Sequence, residues 1–240
     1  MSYDQSGYGY GRQGGYYSYG EDLKVIAYRH LTTALLVATF VVLAINLIFH
    51  DPADPLLVTL YIIGSIVEGG IILILIFSAF FRHQFSESTA LTMLNIFAVA
   101  SSLTLAYMVN VVTNYLSNGL QIVTLTFGIS AVTVFGMYAY TSANKPDVTG
   151  WYKWVMVMAI AFIVLALIGM IFYSSNPFVY LLISIGGAAL FAVFMYMDFA
   201  RLERRQFSSP AMMALMLFYD IIYFVKYLLQ ILVMVMGERK

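Results

Sequence analysis

The stretch "MLFYDIIYFVKYLLQILVMVM", Met216–Met236, decides how this chain must fold. It is apolar almost throughout. At about 1.5 Å of rise per residue it is long enough, as a helix, to cross the roughly 30 Å hydrocarbon core of a bilayer. Yet it carries Asp220 and Lys226. An ionised side chain at the middle of a membrane helix costs about 2.5–3.5 kcal/mol on insertion scales. Such a group persists by facing a cavity, by pairing, or by carrying a proton.

The rest of the sequence has the same character. Of its 240 residues 62% are hydrophobic and 10% charged, with no net charge. A soluble domain needs more polar surface than this. The apolar residues fall into seven blocks, 31–49, 55–81, 89–112, 120–141, 152–173, 177–200 and 210–236. Blocks of this length predict an all-α membrane protein with seven transmembrane helices; a membrane barrel would show short alternating segments. Cysteine is absent, which excludes disulfides and thiolate metal sites. The first block is too long for a cleaved leader and is read as a retained span.

Residues 1–24 differ. "MSYDQSGYGYGRQGGYYSYGED" is dominated by Tyr and Gly and has no apolar periodicity. It predicts a disordered cytoplasmic tail, a solvated leader before the membrane domain of residues 25–240. The orientation follows from the basic residues. Arg12, Lys24, Arg29, Arg82, Lys145, Lys153, Arg201, Arg204 and Arg205 all fall on one side of a seven-span plot, whereas only Arg239 and Lys240 flank the other. The positive-inside rule then sets the N-terminus in the cytoplasm and the C-terminus outside. That membrane is the cell membrane in a prokaryote, and the endoplasmic reticulum or another internal membrane in a eukaryote. The connections are short, so successive helices run antiparallel. Gly69, Gly70, Gly186 and Gly187 are expected to let helices approach closely.

Ionisable residues within the blocks are few: Glu68, Asp198, Asp220 and Lys226. "FSSPAM" (207–212) makes a turn and a helix start midway between the two aspartates. A hairpin folded at Ser209 levels Asp198 with Asp220, about 16 Å from the turn, provided that helix 6 continues to about Phe207. Arg201 and Arg205 would then share a face and reach toward headgroups. Two carboxylates in contact away from water cannot both ionise cheaply and are suited to share a proton. Ionised together, they repel or attract a divalent cation; calcium prefers such oxygen ligands but needs more than two residues to fill its shell. That points to transit or sensing rather than storage. Glu68 is a candidate for lining a cation path, or for a hydrogen bond to a neighbouring helix. Lys226 lies about 120° around the helix from Asp220. It either snorkels or pairs with Glu68.

At these residues the chain resembles the Bax inhibitor family, the transmembrane Bax inhibitor motif proteins. "LFYDIIYFVKYLLQIL" (217–232) is similar to the family's last helix, "MYMDFAR" (195–201) to its sixth-helix aspartate motif, and "FGISAVTVFGMYAYTSANKPDVTGW" (127–151) to its fourth helix and the loop after it. Ile222 and Tyr223 stand where the family often has an asparagine, and Phe199 and Ala200 where it commonly has Thr-Gln. The resemblance implies six helices surrounding a central seventh. It implies a pH-sensitive calcium leak channel with Asp198 and Asp220 as proton and calcium sensor, holding calcium transiently. It also implies Glu68 as a pore-lining acid and an arginine partner for the aspartates, for which Arg82 is the nearest candidate. No cofactor is implied beyond the calcium ion that is transported or sensed.

Other readings remain beside this one. A membrane regulator could act by contact with another membrane protein, a role the Tyr-rich tail would suit. A proton-coupled calcium exchanger could use the same carboxylates. The histidines, His30, His50 and His83, lie at helix ends and neither HExxH nor GxSxG occurs, which points away from an enzyme. The expected partners are calcium, protons and the lipid bilayer, and no nucleic acid.

Overall fold

A computed structural model of the protein describes residues 22–81, 85–172, 177–207 and 209–238. Seven helices follow one another: α1 (Leu23–Ile48), α2 (Pro55–Phe81), α3 (Glu87–Tyr115), α4 (Gly119–Asn144), α5 (Tyr152–Phe172), α6 (Pro177–Glu203) and α7 (Pro210–Met236). Six are long and apolar enough to cross a membrane, and α5 contributes a shorter apolar stretch over Lys153–Leu165. The protein is a multi-pass, all-helical membrane protein.

Local chemistry fixes where the helices begin. Asp22 caps α1 by accepting from the Lys24 amide at 3.0 Å. Asp54 accepts from the Leu56 amide at 2.8 Å at the start of α2. Ser86 caps α3, and Ser209 caps α7, whose first turn holds Pro210. A capping side chain satisfies one of the amides that the first turn leaves unpaired. Helix α1 therefore starts at Leu23, eight residues before the first apolar block, because Asp22 offers a cap and the intervening residues still suit a helix. Of the expected tail, residues 1–21 lie outside the described residues, whereas Leu23 and Lys24 belong to α1.

Helix α6 is shorter than the levelled hairpin requires. It ends at Glu203 rather than near Phe207, because Arg205 adopts the left-handed conformation (φ 56°) and breaks the helix. Arg201 and Arg205 consequently do not share a helical face. Arg205 instead pairs with Asp22 at 2.5 Å.

Helices α3 and α7 form the interior. In their most apolar 18-residue windows 61% and 67% of residues are buried, against 17–33% in the other four long spans. Helix α7 packs against α1, α3, α4 and α6. It reaches α2 through Lys226 and Glu68, and α5 through an edge contact of Tyr227 with Phe162. Hydrocarbon outside the bundle gives little hydrophobic drive for helix association, so close approach matters more. Two glycines supply it. A Cβ on Gly64 would sit 2.9 Å from the Ala100 carbonyl oxygen of α3, and one on Gly187 would lie 2.7 Å from the Tyr227 ring. Gly69 and Gly70 have no such neighbour within 4 Å and do not mediate an approach.

Each end of the bundle is tied by polar contacts. At one end Lys24 of α1 pairs with Glu203 of α6 at 2.5 Å, and Arg204 Nε donates to the Lys145 carbonyl after α4 at 2.7 Å. At the other, Asn110 of α3 donates to the Phe49 carbonyl after α1 at 2.7 Å, and Asn118 donates to the Met236 carbonyl of α7 at 2.6 Å.

Candidate functional site

Asp220 lies ten residues into α7 and is 3% exposed, with one carboxylate oxygen, Oδ2, buried and lacking any hydrogen-bond partner among the described residues. An unpaired buried polar atom is uncommon, because it forfeits its hydration without compensation. The packed helix α6 carries a second carboxyl group, Asp198, which acts on Asp220 electrostatically. The α6–α7 contact is the most extensive between any two helices. Asp198 is held by Arg201 one turn on, with Nη1 donating to Oδ1 at 3.2 Å. The Arg201 charge also acts on Asp220. The site is thus two acids and one cation at the hairpin end of the bundle.

A second polar group lies farther along α7. Lys226 Nζ is 2.5 Å from Glu68 Oε1 of α2 and 2.6 Å from Thr104 Oγ1 of α3. The Thr104 hydroxyl donates in turn to Glu68 Oε2 at 2.8 Å. All three are buried, and the ammonium also lies 4.9 Å from the centre of the Tyr223 ring. Gly64 is one turn from Glu68 on the same face, and its close approach to α3 brings Glu68 to Thr104.

Between the two groups runs an aromatic stripe of α7. Tyr219, Tyr223 and Tyr227 recur every four residues and pack on Phe191 of α6, with ring centres 5.1–5.8 Å away. Glu68 acts electrostatically on both Tyr219 and Tyr223. Along α7 the stripe runs from beside Asp220 to beside Lys226. Among the described residues helices α2 and α6 have no extended contact with one another.

A family model described as "Inhibitor of apoptosis-promoting Bax1" matches residues 25–237. The chain belongs to the Bax inhibitor family. No curated protein matches it.

Within this Bax inhibitor family member, the structure pairs Lys226 with Glu68 and sets Asp198 and Asp220 on the packed helices α6 and α7. Arg82 lies outside the described residues. The arginine beside the acids is Arg201, and its signal was present in "DFAR", where an acid and a base three residues apart on a helix meet. Sequence reasoning also passed over Glu203. It is buried at the end of α6, takes the Lys24 ammonium, and accepts from the Tyr28 hydroxyl at 2.8 Å. Its place in "RLERR" reads as solvated, and its partners come from the far end of the chain. Among the described residues no cluster of three or more His, Cys, Asp or Glu is placed to hold a metal ion.

Proposed function

We propose that the chain is a pH-sensitive calcium leak channel in which Asp198 and Asp220 form the proton and calcium sensor between α6 and α7. The reading rests on one observation above all, the buried, partnerless Oδ2 of Asp220 beside a second carboxyl group. Two such acids share a proton readily. With the proton the pair can join α6 to α7 by a hydrogen bond; without it the charges repel, or a passing divalent cation takes the proton's place. Calcium is cargo here, met transiently by two carboxylates that leave most of its shell to water or backbone carbonyls. Glu68 would line the inner part of the route along the tyrosine stripe, between α2 and α6.

In this reading all seven helices cross, six around a central α7, with residues 1–24 as a cytoplasmic tail and the C-terminus outside. The contacts of α7 with every other helix support that arrangement, as do the basic residues gathered at one end of the bundle.

The test is calcium flux in liposomes of purified protein, measured across pH. A leak follows the calcium gradient alone and changes with pH, and Asp220→Asn and Asp198→Asn each blunt that change. Flux driven by an imposed proton gradient would make the protein an exchanger. No flux at any pH would favour a regulator acting by contact. Unaltered pH dependence in both variants would remove the sensor.

A further inference from the structure

Helices α1 and α4 have no extended packing contact along their lengths. They meet at one end, where Tyr28 and Tyr138 touch edge to face with ring centres 5.6 Å apart. Below that contact an elongated cavity of about 740 Å³ opens between them. Its floor is α7, through Ile221, Ile222 and Val225, and its walls include Leu35 and Ala38 of α1 and Ala131 of α4. The volume falls in the range of small-molecule sites, roughly 300–1,000 Å³. From the level of Tyr28 to that of Leu43, both of which line it, the cavity runs about 22 Å along the helix axis.

Three features identify the occupant. The mouth faces outward between two spans, and the lining residues Leu43, Phe127 and Phe135 are themselves exposed, so the solvent at the mouth is hydrocarbon. The lining is almost wholly apolar; Ser130 Oγ, buried there without a partner among the described residues, has the carbonyl one turn back on its own helix as recourse. The long axis lies along the helices, and the end at Tyr28 and Tyr138 lies toward exposed Lys145, the sort of cation that meets lipid phosphate at a membrane surface. A long, narrow, apolar slot, parallel to the helices and open sideways to the bilayer, fits an extended hydrocarbon chain with its anionic headgroup near Lys145. We propose that the α1–α4 slot holds one acyl chain of a bilayer phospholipid against α7. The site is separate from the aspartates and does not depend on the leak reading.

The experiment uses the full chain in liposomes that contain phosphatidylcholine with a photoactivatable diazirine midway along one acyl chain. Labelled residues are located by mass spectrometry. Lipid around the protein marks outward residues such as Leu36 and Val132 in any case. The proposal expects additional labelling of Ile221, Ile222 and Val225, which lie on the slot's floor. It expects Ala131→Trp, which fills the slot from an exposed position, to reduce that inner labelling at least several-fold while outward labelling persists. Ala38→Phe fills it from the opposite wall and gives the same result should the first variant fold poorly. Labelling confined to outward residues overturns the proposal. So does inner labelling that neither filled variant reduces. Loss of inner labelling on adding unlabelled oleate would show that a free fatty acid, not a phospholipid, is the occupant.

Discussion

The Lys226 ammonium sits within the bundle on Glu68 and Thr104, and it cannot be removed alone without consequence. Breaking a buried ion pair from one side leaves an uncompensated charge, at a cost of about 3–5 kcal/mol. Lys226→Met is therefore expected to lower the unfolding temperature in detergent sharply, whereas Glu68→Gln combined with Lys226→Met recovers most of the loss. Equal losses in the single and double variants would mean that the pair contributes nothing as a pair. This residue also marks how far the sequence could be read. An acid and a base in apolar blocks signal that each needs a partner, which brought Glu68 and Lys226 together as one of two options. The choice between pairing and snorkelling depends on the rotation of α2 and α7, and that is set by the approach at Gly64, which no spacing along the chain records. The turn at Ser209 was legible, and with it the placing of Asp198 and Asp220 on successive helices. The partner Arg201 was legible in principle from its i,i+3 position, and Glu203 was not, because Lys24 and Tyr28 reach it from the other end of the sequence.

Among the elements, α2 depends on its close approach to α3 at Gly64. A methyl group on Gly64 would meet the Ala100 carbonyl oxygen at 2.9 Å and the Leu103 Cβ at 3.1 Å, neither of which can rotate away. Gly64→Ala is expected to push α2 from α3 and to cost about 1–3 kcal/mol as overpacking does, while Gly70→Ala, in open space, is neutral or slightly stabilising. Thermal unfolding of the two variants side by side checks this; comparable losses would contradict it. The loop between α4 and α5 offers a second test. Asp147 there accepts from the Thr149 amide at 3.0 Å and from its hydroxyl at 2.7 Å, and these bonds hold its carboxyl below the ordinary value. A carboxyl depressed on folding adds stability above its unfolded value, and that stability is lost as the pH falls through the folded value. Thr149→Val removes the hydroxyl and keeps the amide, so the Asp147 titration, followed by carboxyl carbon NMR in micelles, should move part of the way up toward the ordinary range. The apolar blocks located every helix, but their ends were set by caps and by two left-handed residues, Lys145 after α4 and Arg205 after α6. For this reason α1 begins earlier, and α6 stops sooner, than composition alone suggested.

For the whole molecule the open quantity is the number of crossings, and it turns on α5. Six helices meet the length and apolarity of a span outright, whereas the apolar stretch described in α5 covers only Lys153–Leu165. The polar ties at the ends of the bundle bear on this. Lys24 with Glu203, Arg205 with Asp22, and Arg204 with the Lys145 carbonyl gather the start of α1 and the ends of α4 and α6 at one end. The end of α4 and the end of α6 can share that end only if α5 and α6 each traverse the bundle. The tie from Asn118 to Met236 likewise holds the end of α7 beside the start of α4, at the opposite end. These ties support the proposed arrangement of seven crossings with the N- and C-termini on opposite sides. The absence of native cysteine makes this directly measurable, since each introduced thiol is the only one present. With a membrane-impermeant maleimide on intact bacterial cells producing the protein, Asp51→Cys and Glu238→Cys should label from outside, while Gly150→Cys and Gln206→Cys should label only after permeabilisation. Were α5 not to cross, Asp51 and Gly150 would keep their sides, but Gln206 and Glu238 would exchange theirs. The basic turn after α6 would then lie outside, against the positive-inside rule. Those two positions therefore decide the count on their own, whatever the flux assay reports.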